Sequence, residues 1–272
     1  LHLCDRRQRQ MCIRDSYWNV NKQSAHILDE IRKAFTEGDQ VKAERLTRQN
    51  FNSEVPYEGS REKPFRFGSF TTMGEFYVET GLNIIGMSDY KRILSLDSAM
   101  AVVQFKKDDV AYQRNYFISY PANVLVMRFS ADRPGKQNLI FSYAPNPVST
   151  GSMVAQGDNG LVYSAALDNN GMKYVVRIQA ETKGGTLVNR NGKLTVKGAD
   201  EVVFYVTADT DYKANFAPDF KNPKTYVGVN PVETTGQWLA NAVAKGYSAL
   251  LNEHYQDCLL YTSPSPRDGL LS

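Results

Sequence analysis

The chain has 272 residues, with 32 Lys and Arg against 29 Asp and Glu, a formal net charge of +3 and three cysteines. Five of the arginines and three of the aspartates lie in residues 1–16 and 258–272, so the body between them is nearer neutral by two charges and offers no electrostatic footprint for nucleic acid. Cys4, Cys12 and Cys258 lie in the same ends, which excludes a disulfide frame, a thiolate metal site or a thiol nucleophile from residues 17–257, and no run there is long and apolar enough to span a membrane.

The ends read as foreign to the fold. Arg6 to Ser16 contains Met11-Cys12-Ile13-Arg14-Asp15-Ser16, and the far end contains Cys258-Leu259-Leu260-Tyr261-Thr262-Ser263 followed by Pro264-Ser265-Pro266-Arg267-Asp268. Both resemble translations of one sequencing-library adapter, read in its two orientations. Residues 1–16 and 258–272 are therefore expected to be disordered and to have no packed place in the fold.

From Tyr17 the body begins with Trp18, whose indole would suit either a sugar face or packing against core or interface. Ile27, Leu28, Ile31 and Phe35 recur at helical spacing, with Asn21 or Ser24 to cap the start and Gly38 to end the helix. Asp39 can cap a second, more polar helix from Gln40 to about Asn50. The pair is expected to cover one flank of a β domain. Residues 53–68 form a polar loop holding Pro56, Tyr57, Arg61, Pro64, Phe65, Arg66 and Phe67. Arginines and aromatics mixed on a loop suit sugar hydroxyls and ring faces, or, as the preferred reading, an interface with another domain.

The central stretch, Asp89 to Phe129, is rich in β-branched and aromatic residues in runs of strand length. Lys106 to Asp109 has the length of a hairpin tip but lacks the usual glycine. Pro121 ends the following strand, having no N–H to give a ladder. Further strands are expected at 138–143, 161–167, 172–180, 186–188, 193–196 and 201–208, with hairpin turns at Asp168-Asn169-Asn170-Gly171 and Asn189-Arg190-Asn191-Gly192. The last of these runs is mostly apolar and reads as a central strand buried on both faces. Many strands at regular spacing predict a large antiparallel two-sheet β-sandwich. Asp209, Asp211 and Asp219 would be oxygen ligands for Ca²⁺ only in a spacing that lacks an EF-hand's glycine and terminal glutamate, so strand-end capping is the preferred role. From Thr235 onward, Trp238, Leu239, Val243, Tyr247, Leu250 and Leu251 make an amphipathic helix in which Gly246 is a mild weakness.

The residue strings are more specific than their spacing. Tyr90-x-Arg92-x-Leu94-x-Leu96-x-x-Ala99, Tyr112-x-Arg114-x-x-Phe117-x-Ser119-x-Pro121 and Val124-x-Val126-x-Arg128 follow one another in order, preceded by Phe70-Thr71-Thr72-Met73-Gly74-Glu75-Phe76. This succession resembles the N-terminal β-sandwich domain of glycoside hydrolase family 95, the α-L-fucosidases. Asp29-Glu30-Ile31-Arg32 with Glu37-Gly38-Asp39, and Asp209-Thr210-Asp211-Tyr212, resemble further segments of that family. The chain departs from it at Val20-Asn21-Lys22, where the family has Gly-Gly-Pro.

The resemblance implies a sandwich over 17–232 that lacks its first strands, then a helical linker over 233–257 toward an (α/α)6 catalytic barrel. The parent enzyme would hydrolyse terminal α-L-fucosyl linkages of glycans, typically α-1,2, with inversion, which needs two groups spaced to admit a water. Those groups would lie in the barrel, so no catalytic residue is expected in this chain, and no metal or cofactor. Gly74, Glu75, Arg92, Tyr112, Arg114 and Pro121 would be structural members of the family motifs. Trp18, Tyr57, Arg66 and Phe67 would contact carbohydrate or the barrel. The expected partners are that barrel and, through the parent, fucosylated glycans, with no nucleic acid and no membrane span; the parent would be a secreted or periplasmic bacterial protein. A free-standing carbohydrate-binding module, a purely structural sandwich and the equivalent domain of a glycoside phosphorylase are the alternatives.

Overall fold

Two-residue turns set the register of the hairpins. Asp108 and Asp109 (φ 50° and 57°), and Asn191 and Gly192 (φ 51° and 71°), each place two consecutive residues in the left-handed region, as turns that match strand twist require. The Lys106–Asp109 tip thus closes without glycine, because the short Asp side chain tolerates that conformation. The computed structural model describes residues 24–51, 72–168, 171–217, 222 and 224–262. Trp18, Tyr57, Arg66, Phe67 and Asp219 lie outside the described residues.

The chain divides into two compact units, one of residues 1–71 and 213–226, the other of 72–212 and 227–272. In the first, a 3₁₀ turn (Ser24–Ile27) leads into α1 (Leu28–Thr36), and α2 (Gln40–Phe51) follows. Gly38 turns the chain at φ 76°, and the Asp39 carboxylate accepts the Lys42 N–H at 2.9 Å, capping α2. Ile31, Ala34 and Ala43 are buried together, with Ile27 and Leu46 against them. Phe35, expected in the apolar stripe, is 60% exposed, and Ala34 takes the buried position instead.

The second unit is a two-sheet β-sandwich. The smaller sheet has the order β1 (Gly74–Glu79), β6 (Gln137–Pro145), β11 (Lys193–Ala199), β10 (Thr186–Arg190). The larger runs β2 (Met87–Ser95), β3 (Met100–Lys107), β4 (Val110–Ser119), β5 (Val124–Ala131), β12 (Glu201–Thr210), β9 (Lys173–Lys183), β8 (Gly160–Leu167), β7 (Ser149–Gln156). Every ladder is antiparallel. The apolar run 202–206 is the central strand β12, buried on both faces. Between the sheets, Phe141 of β6 stacks on Phe204 of β12 with centroids 4.5 Å apart, and Phe76, Tyr143, Tyr163 and Tyr174 extend the ring contacts. These rings sit in one cluster with Leu139, Leu161, Ile178 and Leu194, which is the main core.

The outer face of the larger sheet carries α3 (Pro231–Thr262). Leu239, Ala242 and Leu250 pack with Phe117, Val124, Val126, Val203 and Tyr205. α3 is not one straight helix. Gly246, at φ 75° and ψ 168°, breaks it into two segments, so this glycine is a bend rather than a mild weakness. Helical structure continues past Asp257 to Thr262, and Cys258 is half-buried, so the boundary expected at Asp257 is not an element boundary.

Candidate functional site

The inner face of the larger sheet gathers several motif residues. Register places Arg92, Val103, Arg114 and Phe129 in one row across β2, β3, β4 and β5. The Arg114 guanidinium carbon lies 5.0 Å from the Phe105 ring centroid and 5.7 Å from that of Phe129, on the strands to either side. Tyr112 stacks on Phe105 at 5.1 Å, and Tyr116 meets Phe129 edge-on at 6.0 Å. Burial raises the pKa of both tyrosines, and the Arg114 charge opposes that rise at Tyr116. Arg92 stands exposed on β2, the sheet's edge strand, as do Tyr90 and Leu94, and Leu96 just past the strand is exposed too. The structure therefore brings Tyr112 and Arg114 together and leaves Arg92 in solvent.

Gly74 opens β1 against β6. A Cβ there would lie 2.5 Å from the Ala144 carbonyl oxygen and 2.6 Å from the Tyr143 ring, so only glycine fits this approach. The Tyr143 hydroxyl donates to the Met73 carbonyl at 2.5 Å, and the Asn146 amide donates to the Thr72 carbonyl, which locks the entry to the strand. Glu75 faces solvent and accepts the Tyr77 hydroxyl; that hydrogen bond, and then the Glu75 charge, raise the Tyr77 pKa. Asp211 is a clamp between strand ends. Its carboxylate accepts the Lys173 N–H at 3.0 Å, while its own N–H reaches the Lys173 carbonyl at 2.9 Å.

The junction of α3 with the sheet joins Arg128 and Tyr247, both marked in the sequence, to residues that the sequence pattern did not single out. Arg177 on β9 is 9% exposed. It donates through Nε to Thr235 Oγ1 at 3.1 Å and through Nη2 to the Val232 carbonyl at 3.0 Å. Burial lowers its pKa from the ordinary guanidinium value. Thr207 of β12 donates to the Thr235 carbonyl at 3.0 Å. Beyond the bend, Asn115 donates to the Tyr247 hydroxyl at 3.0 Å, the Arg128 guanidinium covers the Tyr247 ring at 4.9 Å, and Arg128 pairs with Glu201. His254 is 3% exposed, stacks on Phe117 at 5.0 Å and bonds through Nε2 to the Ala99 carbonyl at 3.1 Å. For the buried anchors at the start of α3, the signal in the sequence was Arg177, an arginine in an apolar strand.

Pro121 lies in the β4–β5 turn, where Asn123 takes φ 50° and donates its N–H to the Tyr120 carbonyl at 3.3 Å. It lines a groove of about 400 Å³ with Trp238, Asn241 and Lys245 of α3. The carboxylates near the helix are engaged by neighbours, Glu201 by Arg128 and Glu181 by the Tyr205 hydroxyl at 2.9 Å. Among the described residues no group of three or more His, Cys, Asp or Glu could hold a metal ion. Nor is any described helix long and apolar enough to cross a membrane. The arrangement is one of strands and a bent helix pinned by polar anchors at both ends.

A family described as glycosyl hydrolase family 65, N-terminal domain, matches residues 14–215. The chain is 29% identical over 206 residues to "Probable alpha-fucosidase A" of Aspergillus niger, covering 72% of this chain and 25% of that protein. It thus spans about a quarter of the length of this curated relative. A solved structure assigned as a kojibiose phosphorylase from the human microbiome superposes with a TM-score of 0.46 at 12% identity, over 68% of this chain and 27% of that one. With the family match running through the helix pair and all twelve strands among the described residues, this chain belongs to the family of glycosyl hydrolase N-terminal domains described for family 65.

Proposed function

We propose that the chain is the non-catalytic N-terminal domain of an α-L-fucosidase of the family 95 type. Its parent hydrolyses terminal α-L-fucosyl linkages of glycans, typically α-1,2, with inversion. The observation that carries this reading is the 29% identity to the Aspergillus fucosidase, which extends over 72% of the chain rather than over one motif. The ordered strings from Tyr90 to Arg128 support it. The domain's part is mechanical: a rigid sandwich fixes the direction of α3 through Arg177, Thr207, Asn115 and Ala99, and α3 leads toward the catalytic barrel.

Release of fucose from an α-1,2-fucosylated oligosaccharide tests the proposal. The parent polypeptide should release it with inverted configuration and without phosphate, and this chain alone should release none, because rate enhancement depends on a positioned catalytic constellation. Turnover by the purified chain would place catalysis inside it. Cleavage by the parent that requires inorganic phosphate would instead favour a glycoside phosphorylase, a reading that the family 65 match supports.

A further inference from the structure

We infer that the groove between the β4–β5 turn and the first segment of α3 is a binding subsite for a neutral hexopyranose unit of a glycan. It is lined by the half-buried Trp238, by the small residues Ala122, Ala242 and Ala244, and by Pro121, Asn123, Asn241 and Lys245. A volume of about 400 Å³ falls within the range of small-ligand sites. An indole face packs against the C–H face of a pyranose ring, and a carboxamide both donates and accepts, which is what vicinal hydroxyls require.

Three hydrogen-bonding groups at the groove are unspent. The Trp238 indole N–H and the side-chain amides of Asn123 and Asn241 make no hydrogen bond to any described residue, whereas the polar side chains at the helix anchors nearby are paired. Asn123 is held in the left-handed region at φ 50°, which fixes where its side chain leaves the turn. The helical register sets Trp238, Asn241 and Lys245 on one side of α3. Charge decides which sugars fit. Lys245 Nζ is bound to both carboxylate oxygens of Glu253, at 2.9 and 2.7 Å, a pairing that the bend at Gly246 allows. The groove therefore presents no uncompensated cation for a uronate or a sulfated sugar and suits a neutral ring.

The inference rests on the reading of the parent as a glycan-active enzyme, but its test is separate from activity. Saturation-transfer NMR on the intact chain, with methyl α-L-fucopyranoside, methyl β-D-galactopyranoside and methyl α-D-glucopyranoside as probes, should show saturable binding of at least one with a millimolar dissociation constant. Trp238→Ala should weaken it about tenfold or more and Trp238→Phe by about threefold or less, since the phenyl ring still stacks. Asn241→Ala, at an exposed helical position, should weaken binding about threefold while leaving the melting temperature unchanged. Lack of saturable binding up to about 50 mM, equal affinity in Trp238→Ala and Asn241→Ala, or tighter binding of glucuronate than of the neutral probes would each overturn the inference. Fucose release by a parent enzyme whose groove binds nothing would leave the proposed function standing and this subsite rejected.

Discussion

The guanidinium carbon of Arg114 on β4 sits 5.0 Å from the ring centroid of Phe105 on β3. The same group lies 5.7 Å from the ring of Phe129 on β5, so one cation spans three adjacent strands of the larger sheet. Flat delocalised charge over two rings is an arrangement that a lysine ammonium reproduces poorly. Replacing Arg114 by Ala should lower unfolding free energy by about 1–2 kcal/mol, and by Lys somewhat less. In the parent enzyme kcat should change little. Equilibrium denaturation beside steady-state kinetics separates the two, and an intact stability with a large loss of kcat would assign Arg114 to catalysis instead.

Gly74 is a site where the backbone of β1 has no room for a methyl group. The Ala144 carbonyl and the Tyr143 ring occupy the space, and both belong to the β6 ladder. Gly74→Ala should therefore separate the start of β1 from β6 and cost about 1–3 kcal/mol. Hydrogen exchange should report it as faster exchange confined to β1 and to residues 141–145. Exchange unchanged in those segments would show that the strand entry can shift at no cost.

Alkaline pH should loosen the fold through its buried phenols. Tyr143 and Tyr205 have pKa values raised well above the ordinary tyrosine range, chiefly by burial, with Glu181 adding to the rise at Tyr205. A raised folded pKa means that the unfolded chain ionises first. Stability is then complete below about pH 10, the unfolded value, and falls by roughly 1.4 kcal/mol per pH unit for each such group above it. Tyr143→Phe should remove one proton's worth of that slope, at the cost of the bond to the Met73 carbonyl. Denaturation series from pH 8 to 11 on both proteins decide the matter; identical slopes would mean that Tyr143 ionises freely in the fold.

The sandwich was legible because strands carry their own period and their turns carry their own residues. The runs at 110–121, 161–167 and 201–208 are strands at nearly the expected bounds, and the buried centre at β12 followed from an apolar run with no alternation. β7 was not, since Ser149 to Gln156 is mostly small and polar, and an edge strand needs no apolar face to be held by one ladder. The run from Tyr90 to Leu96 has the composition of a strand, yet Leu94 is 60% and Leu96, just past the end of β2, 78% exposed, because strand propensity does not say what covers a face. The structural motif residues Tyr112 and Arg114 both meet the Phe105 ring, while the contact candidates Trp18, Tyr57, Arg66 and Phe67 lie outside the described residues. The anchors of α3 were illegible for a simple reason: Arg177 and Thr235 are 58 residues apart, and only the crossing of helix over sheet brings them into contact.

Gly246 is where the helix pattern in the sequence and the course of the chain diverge. Its φ of 75° and ψ of 168° lie in a region open essentially to glycine alone. A Cβ placed there would meet nothing within 4 Å, so the demand is purely conformational and not steric. Gly246→Ala consequently tests the bend without introducing a clash. Alanine raises intrinsic helicity and penalises the bend, so α3 should tend to run straight through 246. Straightening would pull Tyr247 from Asn115 and Arg128, and His254 from Phe117 and Ala99. The expected cost is about 1–3 kcal/mol, appearing as faster hydrogen exchange in 247–258 with little change in 231–245, whose anchors at Arg177 and Thr207 precede the bend. Equal protection of both segments in the variant would show that the sheet contacts, and not the glycine, dictate the bend.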